Sequence, residues 1–118
     1  MAFGGGVLGS IEGSSAAWKS AYQPAAGVIA TVMISLCNRA AATRTVRIAV
    51  PQTATVDPTP GDGDMLVYET PLSAAGDADD RDKLQITGVV LNGTTLDQVA
   101  FYASGVDVDC VVTGITES

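Results

Sequence analysis

The stretch Val28–Val50, VIATVMISLCNRAAATRTVRIAV, contains two runs in which every second residue is apolar, separated by a short polar and alanine-rich break. In the first run Val28, Ala30, Val32, Ile34 and Leu36 share one side and Thr31, Met33, Ser35 and Cys37 the other. In the second, Val46, Ile48 and Val50 lie opposite Thr45, Arg47 and Ala49. A period of two is the mark of a strand with one buried face, so the stretch reads as two strands joined through Asn38–Thr43 and stopped by Pro51.

The same rhythm extends in both directions. AWKSAY (17–22) sets Trp18, Ser20 and Tyr22 on one side before Pro24 and Gly27 break the run. MLVYET (65–70) is a short strand after the turn-forming QTATVDPTPGDGD. KLQITGVVL (83–91) is expected to face inward with Leu84, Ile86, Gly88 and Val90. Asn92-Gly93 then marks a tight turn, because both residue types tolerate positive φ. QVAFYA directs Val99, Phe101 and Ala103 inward, and VDVDCVVTGI does the same with Val106, Val108, Cys110 and Val112. No segment holds a helical period over ten residues. About seven strands at short spacings predict an all-β, antiparallel β-sandwich, Ig-like or jelly-roll-like, spanning residues 16–118. Residues 1–15 carry five glycines and only Phe3, Val7, Leu8 and Ile11 as large apolar anchors, and are expected to form an extended arm that docks on a neighbour. Val89, Leu91, Val111 and Ile115 fall on the expected outer faces and are further candidate assembly contacts.

One domain of 118 residues buries a modest core. Thirteen acids against six bases give a net charge of −7, with eight of the acids between Asp57 and Asp82. That balance disfavours direct nucleic-acid binding. The N-terminus lacks the pattern of a targeting signal, and Val28–Leu36 is far short of a membrane span of about 20 residues, so neither export nor a membrane is expected.

The chain has no histidine, which removes the usual activators of serine and cysteine nucleophiles and the commonest metal ligand. No enzyme activity or cofactor is expected. Cys37 and Cys110 have opposite parity, so two free thiols are expected rather than a disulfide. The acidic run DADDRD offers Asp77, Asp79, Asp80 and Asp82 as weak calcium candidates, although Arg81 occupies a slot where a ligand would be needed.

Taken in order, SLCNRAAATRTVRIAV, DMLVYETPLSAAG, LQITGVVLNG and QVAFYASGVDVDCVVTGITE resemble small all-β virion proteins of tailed bacteriophages, over about Ala16–Glu117. The resemblance implies a structural protein of the virion, assembled in the host cytoplasm. Its expected partners are a major capsid protein, tail proteins or further copies of itself. A capsid decoration (cement) role is the first expectation, and a tail, collar or fibre-attachment role the second. A carbohydrate-binding or adhesin module is the alternative of another class; it would rely on Trp18, Tyr22, Tyr68 and Tyr102.

Overall fold

The computed structural model describes residues 3–118 and contains eight strands: β1 (Phe3–Glu12), β2 (Ala17–Tyr22), β3 (Ile29–Asn38), β4 (Arg44–Ala49), β5 (Met65–Leu72), β6 (Lys83–Asn92), β7 (Val99–Ala103) and β8 (Val108–Glu117). They form two four-stranded antiparallel sheets, ordered β1-β8-β3-β6 and β2-β7-β4-β5. Short 3-10 turns at Asp62–Asp64 and Gly93–Thr95 are the only helical elements among the described residues. The sheets share one core, in which Ala30, Val32, Ile34 and Leu36 of β3 and Val108, Cys110 and Val112 of β8 meet Val46 and Ile48 of β4 and Val99 and Phe101 of β7.

The pairings are nested: β4 with β5, β3 with β6, β2 with β7, and β1 with β8. The chain is therefore one long hairpin rolled into two layers, and only the β4–β5 connection stays within a sheet.

The eighth strand corrects the expected arm. Residues 3–12 pair with β8 from Phe3↔Glu117 to Glu12↔Asp109, and Leu8 and Ile11 pack against the core. Glycine is what lets this segment lie close: a Cβ on Gly9 would sit 2.2 Å from the Ala21 carbonyl oxygen. Residues 1 and 2 of the expected arm lie outside the described residues.

A second correction concerns β6. Val32 faces Val89 but Ile34 faces Ile86, so Thr87 and Gly88 together oppose one residue of β3, and Gly88 takes a φ of 73°. This bulge reverses parity beyond it. Leu91 is consequently buried in the core and Val89 packs against it, while Val90 points out, the inverse of the strict alternation. Val106 is exposed as well, because β8 starts only at Val108, after Asp107 has turned the chain with a φ of 69°. Tyr22, expected beside Trp18, packs against the core after a register shift in β2. In the Asn92-Gly93 turn the positive φ belongs to Leu96; Gly93 is needed because its Cβ would lie 1.9 Å from the Ala25 carbonyl oxygen.

Asn38 ends β3 where the chain leaves one sheet for the other, and it is buried. Its Nδ2 donates to the carbonyls of Ala42 (3.0 Å), Leu72 (3.2 Å) and Ser73 (3.0 Å), and its Oδ1 accepts from the Ala40 N–H at 2.9 Å. Its own N–H donates to the Asp82 carbonyl at 2.8 Å. Replacing Asn38 by Ala strips one buried and two part-buried carbonyls of a donor, and the near-isosteric carboxylate that Asn38→Asp introduces cannot donate to them when ionised. Both variants are expected to lose about 3 kcal/mol of unfolding free energy, read from urea denaturation; a loss below about 1 kcal/mol would show that the crossover does not depend on this amide.

Candidate functional site

All four strands of the β1-β8-β3-β6 sheet are ten residues long, and their register sets out the face turned away from the core. Glu117 pairs with both Phe3 and Ile29, Ile115 with Gly5 and Thr31, Thr113 with Val7 and Met33, Val111 with Ser10 and Ser35, and Asp109 with Glu12 and Cys37. On the β6 side, Val90 pairs with Thr31, Gln85 with Ser35 and Lys83 with Cys37. Charge is confined to the first and last of these rows. Between them the face presents apolar, glycine and neutral polar residues.

The apolar side chains here are not covered. Of ten large hydrophobic residues exposed among the described residues, five lie on this one face: Phe3, Val7, Ile29, Val90 and Ile115, from 42% to 70% exposed. Met33 and Val111 between them are half-buried. Monomeric proteins seldom leave apolar surface contiguous over so many strands. Of the assembly contacts expected from sequence, Phe3, Val7, Val111 and Ile115 are brought together here, while Leu8, Ile11, Val89 and Leu91 turn toward the core. Sequence alternation does not find Val90 and Ile29; the glycine in TGVV is the signal that could have shifted the parity of β6.

The last row carries an ion-pair cluster. Arg39, just past β3, grips Asp109 through Nε (2.6 Å) and Nη2 (3.1 Å) and reaches Glu12 at 3.5 Å, tying β1 and β8 to the crossover. An open depression beside it is lined by Cys37, Lys83, Gln85, Asp109 and Val111.

The acidic candidates do not converge on a point. Asp77 accepts from the Asp79 N–H (2.8 Å) and from Arg81 (3.3 Å), and these contacts, the N–H first, hold its carboxyl below the usual carboxylate range. Asp79 lies 3.5 Å from Arg81, and Asp80 3.4 Å from Lys83. Asp82 is buried; its Oδ2 accepts from the Gly76 N–H at 3.1 Å and its Oδ1 lacks a hydrogen bond. No group of three or more acidic, cysteine or histidine side chains among the described residues is placed to hold a metal. No helix among them is long and apolar enough to cross a membrane.

The outer face of the other sheet gathers aromatics instead. Trp18, Tyr102, Arg47 and Tyr68 run across β2, β7, β4 and β5. Trp18 and Tyr102 have ring centroids 5.6 Å apart, and the Arg47 guanidinium lies 4.4 Å from the Tyr102 ring and 4.9 Å from that of Tyr68. A bulge in β5, with Glu69 at a φ of 51°, brings both Tyr68 and Glu69 to Arg47, and Glu69 forms an ion pair with it. Further along, Ala49 and Ala100 are buried on this side, beside the segment after Pro51 that Gln98 holds through the carbonyls of Thr53 (2.7 Å) and Thr55 (2.9 Å).

Both cysteines are free, Cys110 on the core face and Cys37 half-buried on the outer one. Burial pushes the Cys110 thiol up to about 12 from 9.0. One thiol is therefore expected to react with a disulfide reagent in the folded protein and two in denaturant. Below pH 9 the Cys110 thiol is neutral in both states; as pH rises from 9 toward about 12 only the unfolded thiol ionises. Cys110 thereby contributes a fall in stability over that window of up to about 1.4 kcal/mol per pH unit, a contribution that Cys110→Ala should remove when the two proteins are unfolded side by side. Scans against family models, curated proteins and solved structures find no match to the chain.

Proposed function

We propose that the chain is a non-enzymatic structural protein of a tailed-bacteriophage virion, a capsid decoration (cement) protein that binds neighbouring capsid subunits and uses the outer face of the β1-β8-β3-β6 sheet as one of its subunit contacts. The carrying observation is that face: five large apolar side chains exposed together, with charge only at its margins. Repeated docking of such a surface on a lattice turns weak single contacts into stable attachment.

Two further features support the reading. The resemblance of Ala16–Glu117 to small phage virion proteins points to the same class. The nested pairing, with sheets ordered β1-β8-β3-β6 and β2-β7-β4-β5, is the arrangement of a jelly roll rather than of an Ig domain, and jelly rolls recur in viral capsid and lectin domains. Architecture alone assigns no function, so the apolar face carries the argument. A tail, collar or fibre-attachment role would use the same face against a different neighbour.

The row of Trp18, Tyr102 and Tyr68 favours a second reading, a carbohydrate-binding module. It is the weaker of the two, because sugars stack on open ring faces and Arg47 already lies over two of these rings.

Cryo-electron microscopy of particles assembled with and without the chain separates the possibilities. Surface knobs lost with the chain are the expected outcome; intact knobs with a missing tail feature would move the protein to the tail. Particles complete and stable without it, together with glycan-array binding that Trp18→Ala abolishes, would replace the structural reading by the sugar-binding one.

A further inference from the structure

We infer that the outer face of the β1-β8-β3-β6 sheet is a self-complementary surface that pairs with the same face of a second copy, so that the assembling unit is a back-to-back dimer; this deepens the assembly reading above and rests on it.

Size is the first argument. Ten-residue strands and a width of four give a face of roughly 34 by 19 Å, on the order of 650 Å². Stable interfaces bury about 800 Å² per partner, so one face of this relief accounts for most of a dimer's need. A two-sheet stack also matches how apolar sheet faces are covered elsewhere in this molecule, by side chains interdigitating between layers.

Charge is the second argument and selects the occupant. The chain carries −7, and two acidic copies repel unless the contact keeps its charges sparse and matched. On this face they are sparse, confined to the first and last rows: Glu117 stands at the open end of the first row, and the charges of the last row are matched. Its acids at the last row lie on β1 (Glu12) and β8 (Asp109), with Arg39 between them, and its lysine lies on the opposite edge strand at Lys83. A two-fold axis parallel to the strands lays β1 of one copy over β6 of the other, row upon row. Glu12 then faces Lys83 of the second copy at both edges of the interface. The same operation sets Phe3 and Val7, on the β1 side, against the Val90 side of the second copy, with Ile115 near the centre. A symmetric contact of this kind needs one patch to complement itself, which is the property this face has.

Sedimentation equilibrium of the purified chain tests the pairing without any particle. The expected mass is twice the 12.0 kDa of the chain. Ile115→Asp, at an exposed central position, should give the single-chain mass with an unchanged thermal melt, and Val90→Lys should do the same. Val56→Asp, exposed elsewhere, should leave the dimer intact. Lys83→Glu should weaken association at least tenfold, and Glu12→Lys in the same chain should restore it. A single-chain mass up to about 1 mM would overturn the inference, as would a dimer indifferent to both Ile115→Asp and Val90→Lys. A monomer that docks on capsids through Ile115 would overturn the dimer while leaving the decoration role standing. A dimer sensitive to Ile115→Asp that never joins a particle would support the pairing and sink the role instead.

Discussion

The fold turns on one buried amide. A chain that passes from sheet to sheet at nearly every connection must abandon its ladder hydrogen bonds at each crossing, and buried carbonyls left without donors are costly. Asn38 meets this demand at the β3 to β4 crossing, serving the departing turn through Ala40 and Ala42 and the end of β5 through Leu72 and Ser73. Its backbone N–H adds the loop before β6 through Asp82. Gln98 plays a related part at the other sheet, where its amide holds the long segment after Pro51 across the outer face. In the C-N-R triplet, then, the asparagine is the structural member and the arginine the surface clasp, while the cysteine fills a half-buried outer position.

Parity made much of this legible. The core rows of β3, β4 and β7, the inward set Val108, Cys110 and Val112, and the two unpaired thiols all follow from alternation along the chain. What alternation could not supply is the place where it breaks. Glycine at 88 admits a positive φ, the strand gains a residue, and Val89, Val90 and Leu91 exchange sides. The glycine-rich start was opaque for a related reason: local propensity says flexible, but a Cβ at Gly9 would collide with β2, so small residues there mark close packing. Tertiary contact, invisible to local pattern, decides the case of Gly9, and backbone conformation that of Gly88.

The two outer faces show how similar raw material is handled in opposite ways. On one, Arg47 lies over the rings of Tyr68 and Tyr102 and Ala49 and Ala100 are buried, while Tyr68 itself stays 61% exposed. On the other, Phe3, Val7, Ile29, Val90 and Ile115 all remain exposed. The acidic loop meets the second face only at its last row, where Asp80 approaches Lys83. Its carboxylates pair mainly with the neighbouring Arg81 and Lys83, and such exposed contacts add little to stability.

The nesting of the pairs also orders the chain in time. Pair β4–β5 closes the shortest loop of the four nested pairs, residues 50–64, whereas β1 finds β8 only by bringing Phe3 to Glu117, across nearly the whole chain. Loop closure grows costlier with length, and pairings this distant in sequence slow folding. The outermost pair is thus favoured to close late, and Phe3 and Val7 reach the apolar face only when it does. An incompletely folded chain lacks Phe3 and Val7 at one edge of its apolar face, so that face is complete only when the two ends of the chain have met.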